Sequence, residues 1–296
     1  MKRTAISIIV PVYHSGEYLK DCLHSLENQN FKLPYQVIMV DCGGDCSVTE
    51  EAKEQERKDH RFYYYRTEKN LGPGFSRNLG LLIASGQYVT FVDGDDVVSE
   101  DYLSRLYEKA EKTKAEVVTC GYYLFEGKKR WKGYSRSNRT LKGEKVLKKI
   151  YHSPLLKYRT FCWGRLYRKD FLMEHRVFFD AELLMFEDWQ FINHVLLYAK
   201  KVSFLKKCLY GYRQRVGSIM SVSSDRFRYH LLAIKKSKEI IEKENPALAD
   251  GIFDRLHFPL RAQLSYDLSK EQKKEGKTWR EEAEELFGKD QKNESV

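Results

Sequence analysis

No apolar run in this 296-residue sequence approaches the ~18 uninterrupted residues of a membrane-spanning helix. Cysteine is sparse, with six residues scattered at 22, 42, 46, 120, 162 and 208. Cys42 and Cys46 are separated by three residues rather than the two of a zinc knuckle, so the simple reading is a reduced compartment with no structural metal. Internal repeats and low-complexity segments are missing too. The opening "MKRTAISIIVPVYHSG" is basic and then apolar, like a secretion signal. Its apolar stretch is short, holds a proline and has no small-residue cleavage site, so it reads as the first strand of a cytosolic protein.

Acids are nearly missing from one window. Between Lys128 and Lys169 there are fifteen Lys/Arg and a single acid, Glu144. That surplus of fourteen exceeds the whole chain's net charge of +10, so the remainder carries −4. Such a window suits an anionic partner (a membrane surface, a phosphorylated acceptor or a nucleic acid) or is a solvated face. What the chain does have is ordinary hydrophobic content and 14% aromatic residues, mostly Tyr and Phe, which argues for a folded protein. Its length allows one large domain or two modest ones.

Residues 1–122 alternate in type. Short β-branched and aromatic runs at 5–13, 35–42, 62–65, 87–92 and 116–122 predict strands. Between them, 17–29, 75–85 and 99–115 carry apolar residues at helical spacing, the last with Ser99 as N-cap. That alternation predicts βαβ units and a mostly parallel sheet, whose ligands bind beyond the carboxyl ends of the strands. Tyr13, Asp41 and Asp93 to Asp96 fall at those ends. After Tyr122 the pattern changes. A short helix is expected near 143–151, another from about Asp188, and two more at 225–244 and 247–268, separated by Pro246. In the tail, Thr278 and Glu281 have capping-box spacing, and the stripe of Trp279, Ala283, Leu286 and Phe287 is expected to dock on the protein itself.

The chemistry concentrates in a few stretches. "FVDGDD" ends a strand with Asp93, Asp95 and Asp96, whose hard oxygens suit Mg²⁺ or Mn²⁺ completed by phosphate and water. It is also a plausible acidic turn without metal. Gly94 permits close backbone approach of a ligand. Asp41 can accept from a nucleobase or ribose and Tyr13 can stack on a base, or both are loop residues. "KNLGPGFSRNLG" turns into a helix bearing Arg77 and Asn78, where an arginine can face a diphosphate, but it is neither a Walker A loop nor a dinucleotide fingerprint. Glu187–Asp188 either supplies a general base or complements a helix dipole. "YRQRVGSIM" offers Arg213, Arg215 and Ser218 to phosphate.

In this order the elements resemble the GT-A glycosyltransferases of family 2. "SIIVPVYHSGEYLKDCLHSL" is similar to that family's first strand and helix, and "VIMVDCGG" to its "VVDDGS". "NLGPGFSRNLGLLIASGQYVTFVDGDD" is similar to its "NxGxxxARNxG…D-x-D-D" stretch, and "FEDWQF" to its "ED" motif. The resemblance implies an α/β fold with a GT-A-like, Rossmann-type sheet flanked by helices and followed by a mainly helical C-terminal region. The expected division is a catalytic domain over 1–220, with a nucleotide-binding half to 122 and an acceptor-side half at 123–220, then helices over 221–296.

The resemblance also implies an inverting mechanism, a nucleotide-diphospho-sugar donor (uridine being the commonest base) and Mn²⁺ or Mg²⁺. By position, Pro11, Tyr13 and Asp41 hold base and ribose, with Asn70 and Arg77 nearby. Asp93 faces ribose or metal, and Asp95 holds the metal. Asp188 is the general base with Glu187 beside it, and Arg213 and Arg215 surround diphosphate and acceptor. His14, Cys42 and Gly44 depart from the family pattern and leave the donor's base and sugar open. No "QxxRW" is present, which argues against a processive synthase. The acceptor is expected to be a glycan or lipid-linked, with the basic window against the inner face of a membrane and the C-terminal helices available to pair with a second copy. A sugar nucleotidyltransferase would need a glycine- and basic-rich loop after the first strand, and "PVYHSGEYL" is not one. A basic nucleic-acid-binding protein is disfavoured, because an acidic crevice repels phosphate.

Overall fold

A computed structural model of the chain describes residues 3–12, 15–43, 46–131, 133–134, 138–152, 160–215 and 226–253. Tyr13, His14, Gly44, Ser218, the end of the expected 247–268 helix and the tail around Thr278 and Glu281 lie outside the described residues. Strands β1 (Ile6–Pro11), β2 (Tyr35–Asp41), β3 (Phe62–Arg66) and β4 (Tyr88–Phe91) pair in parallel in the order β3-β2-β1-β4. The apolar runs of β1, β2 and β4 are continuous because both their faces are covered, whereas the edge strand β3 buries only Phe62. Ile8, Val10, Val37 and Met39 enter one core with helices α1 (Leu19–Glu27) and α4 (Tyr102–Thr113). The alternate residues Ile9, Ile38, Val40 and Phe91 enter the other, with α3 (Gly72–Ile83).

Helix α2 (Cys46–Lys58) links β2 to β3 and had no counterpart among the expected helices. It buries only Val48 and Ala52 of its apolar residues, too thin a stripe for periodicity to detect. Helix α4 starts at Tyr102 with Asp101 as N-cap, not Ser99. Ser99 is occupied elsewhere: its N–H and its hydroxyl both donate to the Leu209 carbonyl, at 2.9 and 3.2 Å.

The sheet then continues through short pieces. These are β5 (Val97–Val98), β6 (Val117–Glu126), β7 (Lys129–Arg130), β8 (Thr140–Leu141), β9 (Arg165–Arg168) and β10 (Val202–Arg213). Strand β9 lies antiparallel between β4 and β6, and β6 pairs in parallel with β10, so one ten-stranded, mostly parallel sheet runs through both halves of the chain. Helices α5 (Gly143–His152), α6 (Lys169–Glu174) and α7 (Glu187–Tyr198) follow their strands. Helices α8 (Arg226–Glu244) and α9 (Pro246–Phe253) are split at Pro246, which opens α9, a position that tolerates its missing N–H. Leu231, Ile234, Ile241, Leu248 and Ile252 turn their apolar side into the core shared with α5 and α7. Strand β1 has β2 on one side and β4 on the other, so the order reverses there. A crevice at such a switch point is where α/β sheets bind ligands.

Candidate active site

The loop after β4 is built to hold carboxylates together. Asp96 is fully buried, with Oδ2 accepting from the Tyr210 hydroxyl at 2.6 Å and Oδ1 from the Arg213 N–H at 2.8 Å. Burial, then the charges of Asp95 and Asp93, push its pKa well above the carboxylate range. Asp96 is therefore a structural anchor. Asp95 is half-buried and pairs with Arg215 at 2.9 Å. Its pKa is also raised, by burial and then by Asp93, against the pull of Arg215. Gly94 is needed, but not for a ligand's approach. A Cβ there would stand 2.4 Å from Ser15 Oγ and 3.0 Å from the Pro11 carbonyl, so the close neighbour is the chain itself.

Arg77 joins this loop to the second acidic pair. It sits in the second turn of α3 and is nearly buried, yet its guanidinium reaches Asp93 and Glu187, each at 2.7 Å, and Asp188 at 3.7 Å. The neighbouring Asn78 exchanges two hydrogen bonds with the Phe179 backbone, at 2.8 and 2.9 Å, and so pins the segment that leads into α7. Arg77 was read as able to face a diphosphate and as lying near the base and ribose; in the structure its guanidinium bonds carboxylates of both acidic groups. Burial disfavours its charge, and the acids around it more than restore it.

Glu187 and Asp188 open α7, where the helix dipole favours negative charge. Glu187 is pushed up to about 7 by burial and the charge of Asp188, with Arg77 opposing. Asp188 Oδ2 accepts the Cys162 N–H at 3.1 Å, whereas Oδ1 is buried with no hydrogen-bond partner. Burial also raises its pKa, again against Arg77. A carboxylate oxygen that is oriented, desolvated and unmatched is equipped to take a proton.

The remaining candidates are distributed around this centre. Pro11 ends β1 next to Gly94. Asp41 ends β2 as expected, but its carboxylate has no exposed surface. It accepts from the Tyr64 hydroxyl at 2.6 Å and Thr49 at 3.0 Å, so a ligand reaching it would displace Tyr64. Asn70 is exposed and accepts the Gly72 N–H at 3.0 Å, which shapes the turn into α3. Arg213 is nearly buried over the Tyr18 and Phe125 rings, and it bonds the Asp95 carbonyl at 2.7 Å and Asp21 at 2.9 Å. It clamps the acidic loop to α1. Three residues central to this arrangement were not anticipated: Cys162, Tyr210 and Asp21. Nothing in their local sequence marks them, because each acts across a long separation along the chain.

Among the described residues no group of three or more His, Cys, Asp or Glu is arranged to hold a metal ion. Asp93 and Asp95 nonetheless form a two-carboxylate set of hard oxygens, which fits a magnesium-type ion that takes its other ligands from phosphate and water. Among the described residues, the basic window does not form one face. Arg165 is buried on the Phe161 carbonyl and Thr119, Arg168 pairs with Glu116, and Lys169 bonds the Ala84 carbonyl. Lys128, Lys129, Arg130 and Trp131 are exposed on the β6–β7 hairpin at the crevice end of the sheet. Strand β8, leading into α5, pairs at the opposite end of β10.

The family described as "Glycosyl transferase family 2" matches residues 7–176. "Glycosyltransferase GlyA" of Streptococcus pneumoniae is 34% identical over 90% of this chain, which spans 36% of that protein's length. "Putative glycosyltransferase EpsH" of Bacillus subtilis is 30% identical over 84% of this chain and 72% of its own. In fold, the chain is similar to S. aureus TarS, with TM-score 0.71 and 22% identity over 93% of this chain and 46% of that one. TarS 1–349, solved in complex with UDP-GlcNAc, gives TM-score 0.68 and 21% identity over 90% and 88%.

Proposed function

The chain belongs to glycosyl transferase family 2, and on that premise we propose that it transfers a sugar from a UDP-sugar to an acceptor hydroxyl with inversion at the anomeric carbon. The observation that carries the chemical step is the unmatched Oδ1 of Asp188, held beside Arg77 and oriented by the Cys162 amide. Asp188 takes the acceptor hydroxyl's proton as that oxygen bonds to the anomeric carbon. The bond from that carbon to the diphosphate breaks on the opposite face, and its electron pair leaves with the nucleoside diphosphate. Arg77 positions Asp188, Glu187 and Asp93 relative to one another. In this reading Pro11, Asp41 and Asn70, with Tyr13 from outside the described residues, would serve the nucleoside, and Arg215 the diphosphate, with Arg213 holding the acidic loop that carries Asp95.

Asp95, with Asp93, would hold Mn²⁺ or Mg²⁺, which when bound offsets charge on the departing diphosphate. The division of labour follows the chain: residues 1–122 bind the nucleotide, 123–220 face the acceptor, and of the C-terminal region α8 and α9 pack on α5 and α7. The acceptor is a glycan or a lipid-linked saccharide.

No helix among the described residues is long and apolar enough to cross a membrane. The exposed basic hairpin with Trp131 suits adsorption to an anionic inner leaflet, since each Lys or Arg near such a surface contributes about 1 kcal/mol. Sedimentation with anionic and neutral liposomes checks this, and equal recovery with both would contradict it. The donor is tested by thermal shift with UDP, GDP, dTDP and CDP, each with and without Mn²⁺. A ligand that binds the folded state raises the melting temperature in proportion to RT ln(1 + [L]/Kd). A metal-dependent shift with UDP is expected, and no shift with any nucleotide would overturn the reading.

A further inference from the structure

Phe161 and Trp163 flank the residue whose amide orients Asp188. Their rings stack with centroids 4.3 Å apart and planes 12° from parallel, and Trp163 stacks on Tyr210 at 4.4 Å and 9°. Tyr210 is in turn bonded to the acidic loop, donating to Asp96 and accepting the Asp93 N–H at 3.2 Å. Away from the loop, Tyr122 meets Trp163 edge-on at 5.2 Å and stacks with Tyr134 at 5.1 Å, while Tyr212 lies 6.0 Å from Phe161. Exposure rises along the series. Tyr210, Trp163 and Tyr122 are buried, Phe161 and Tyr212 are half-buried, and Tyr134 is 53% exposed. One aromatic series thus runs from the acidic loop, past the segment holding the base, into solvent.

The inner rings, Tyr210, Trp163 and Tyr122, belong to the hydrophobic core, but the series does not end there: Phe161 and Tyr212 are only half-buried and Tyr134 is exposed. Its outer ring is not on a loose loop. The Tyr134 N–H donates to the Tyr122 carbonyl at 2.6 Å and the Tyr122 N–H donates back at 3.0 Å. The preceding Gly133 packs so tightly that a Cβ would stand 2.5 Å from Cys208 Sγ. The result is a fixed set of stacked rings that ends in an exposed tyrosine and whose Phe161 and Trp163 flank the residue holding Asp188 through its amide. Ligand sites are commonly lined this way, with aromatic rings and a few placed polar groups. A pyranose matches it, because its C–H patches pack on ring faces while its hydroxyls bond at the edges. Among the described residues, the two arginines bonded to this segment and to the acidic loop are taken: Arg165 by the Phe161 carbonyl and Thr119, Arg213 by Asp21 and the Asp95 carbonyl. Ring faces edged with hydroxyls suit a sugar ring.

We propose that Tyr134, Phe161 and Tyr212 form an acceptor subsite that stacks a pyranose ring of a glycan and presents its hydroxyl to Asp188. The subsite rests on the glycosyltransferase reading above. Ligand-observed saturation-transfer NMR on the full chain with Mn²⁺ tests it, using cellobiose and lactose as probes and UDP in the same samples. Saturable disaccharide binding is expected, weakened about 3- to 10-fold by Tyr134→Ala and by Phe161→Leu, and retained by Tyr134→Phe. UDP affinity should be the same in all four proteins. No saturable binding of either disaccharide, or equal affinity in wild type and Tyr134→Ala, would overturn the subsite. So would binding of ribitol 5-phosphate or anionic vesicles at these residues with no response to either sugar. Loss of UDP binding in wild type would count against the donor reading instead and leaves the disaccharide result readable.

Discussion

In the loop after β4 every carboxylate has a committed partner. Asp93 takes Arg77, Asp95 takes Arg215, and Asp96 takes the Tyr210 hydroxyl and the Arg213 amide. At the start of α7 the commitment is uneven: Glu187 bonds Arg77, but Asp188 hydrogen-bonds through one oxygen and leaves the other, 3.7 Å from Arg77, without a hydrogen bond. The residue types are the same and the electrostatic outcomes differ. A buried polar atom without a hydrogen bond costs about 1–3 kcal/mol, a cost that a substrate hydroxyl donating to Asp188 Oδ1 would remove. This difference supports the proposal that the first cluster binds and the second reacts, and one arginine is bonded to both.

Removing the basicity of that Asp188 oxygen should have the largest effect. Asp188→Asn is expected to lower transfer by about 10²–10⁴-fold, the usual contribution of a positioned base, which steady-state kinetics would read. A loss below tenfold would place the base elsewhere. Cutting the link between the clusters comes next. Arg77→Met leaves three carboxylates without their buried cation, and urea unfolding should show a loss of about 3–5 kcal/mol. A loss of only ~1 kcal/mol, as for an exposed pair, would mean the clusters are held by other contacts.

The smallest effect is in pH. Glu187, pushed up to about 7 by burial and by Asp188, binds a proton when folded that the unfolded chain has already released. Its ionisation therefore costs stability as pH rises from the ordinary carboxylate range through about 7. Melting of Glu187→Gln relative to wild type should improve between about pH 5 and pH 8. A flat difference would mean Arg77 keeps Glu187 charged throughout.

The same two regions show how much the sequence reveals. Strands β1, β2 and β4 were legible because they are buried on both faces and read as continuous apolar runs, and the edge strand β3 because Phe62 to Tyr65 are all aromatic. The acidic loop was legible because its carboxylates are adjacent in the chain. Strands β5, β7 and β8 were not, since two-residue strands carry no periodicity. Strand β9, four residues with three arginine or tyrosine side chains, pairs with β4 and β6 far away in sequence. The start of α7 was found to within a residue, yet its links to Arg77 and Cys162 span 110 and 26 residues and left no local trace. Asp96 shows the same limit: its neighbours Asp93 and Asp95 made it look like a ligand, and only the fold supplies Tyr210.

The division of labour between the clusters is tested most directly by calorimetric titration of UDP, with and without Mn²⁺, into wild type, Asp95→Asn and Asp188→Asn. The account predicts that Asp95→Asn loses the metal-dependent part of UDP affinity while Asp188→Asn binds UDP as wild type does. Metal-dependent UDP binding that survives in Asp95→Asn, or fails equally in both variants, would contradict it.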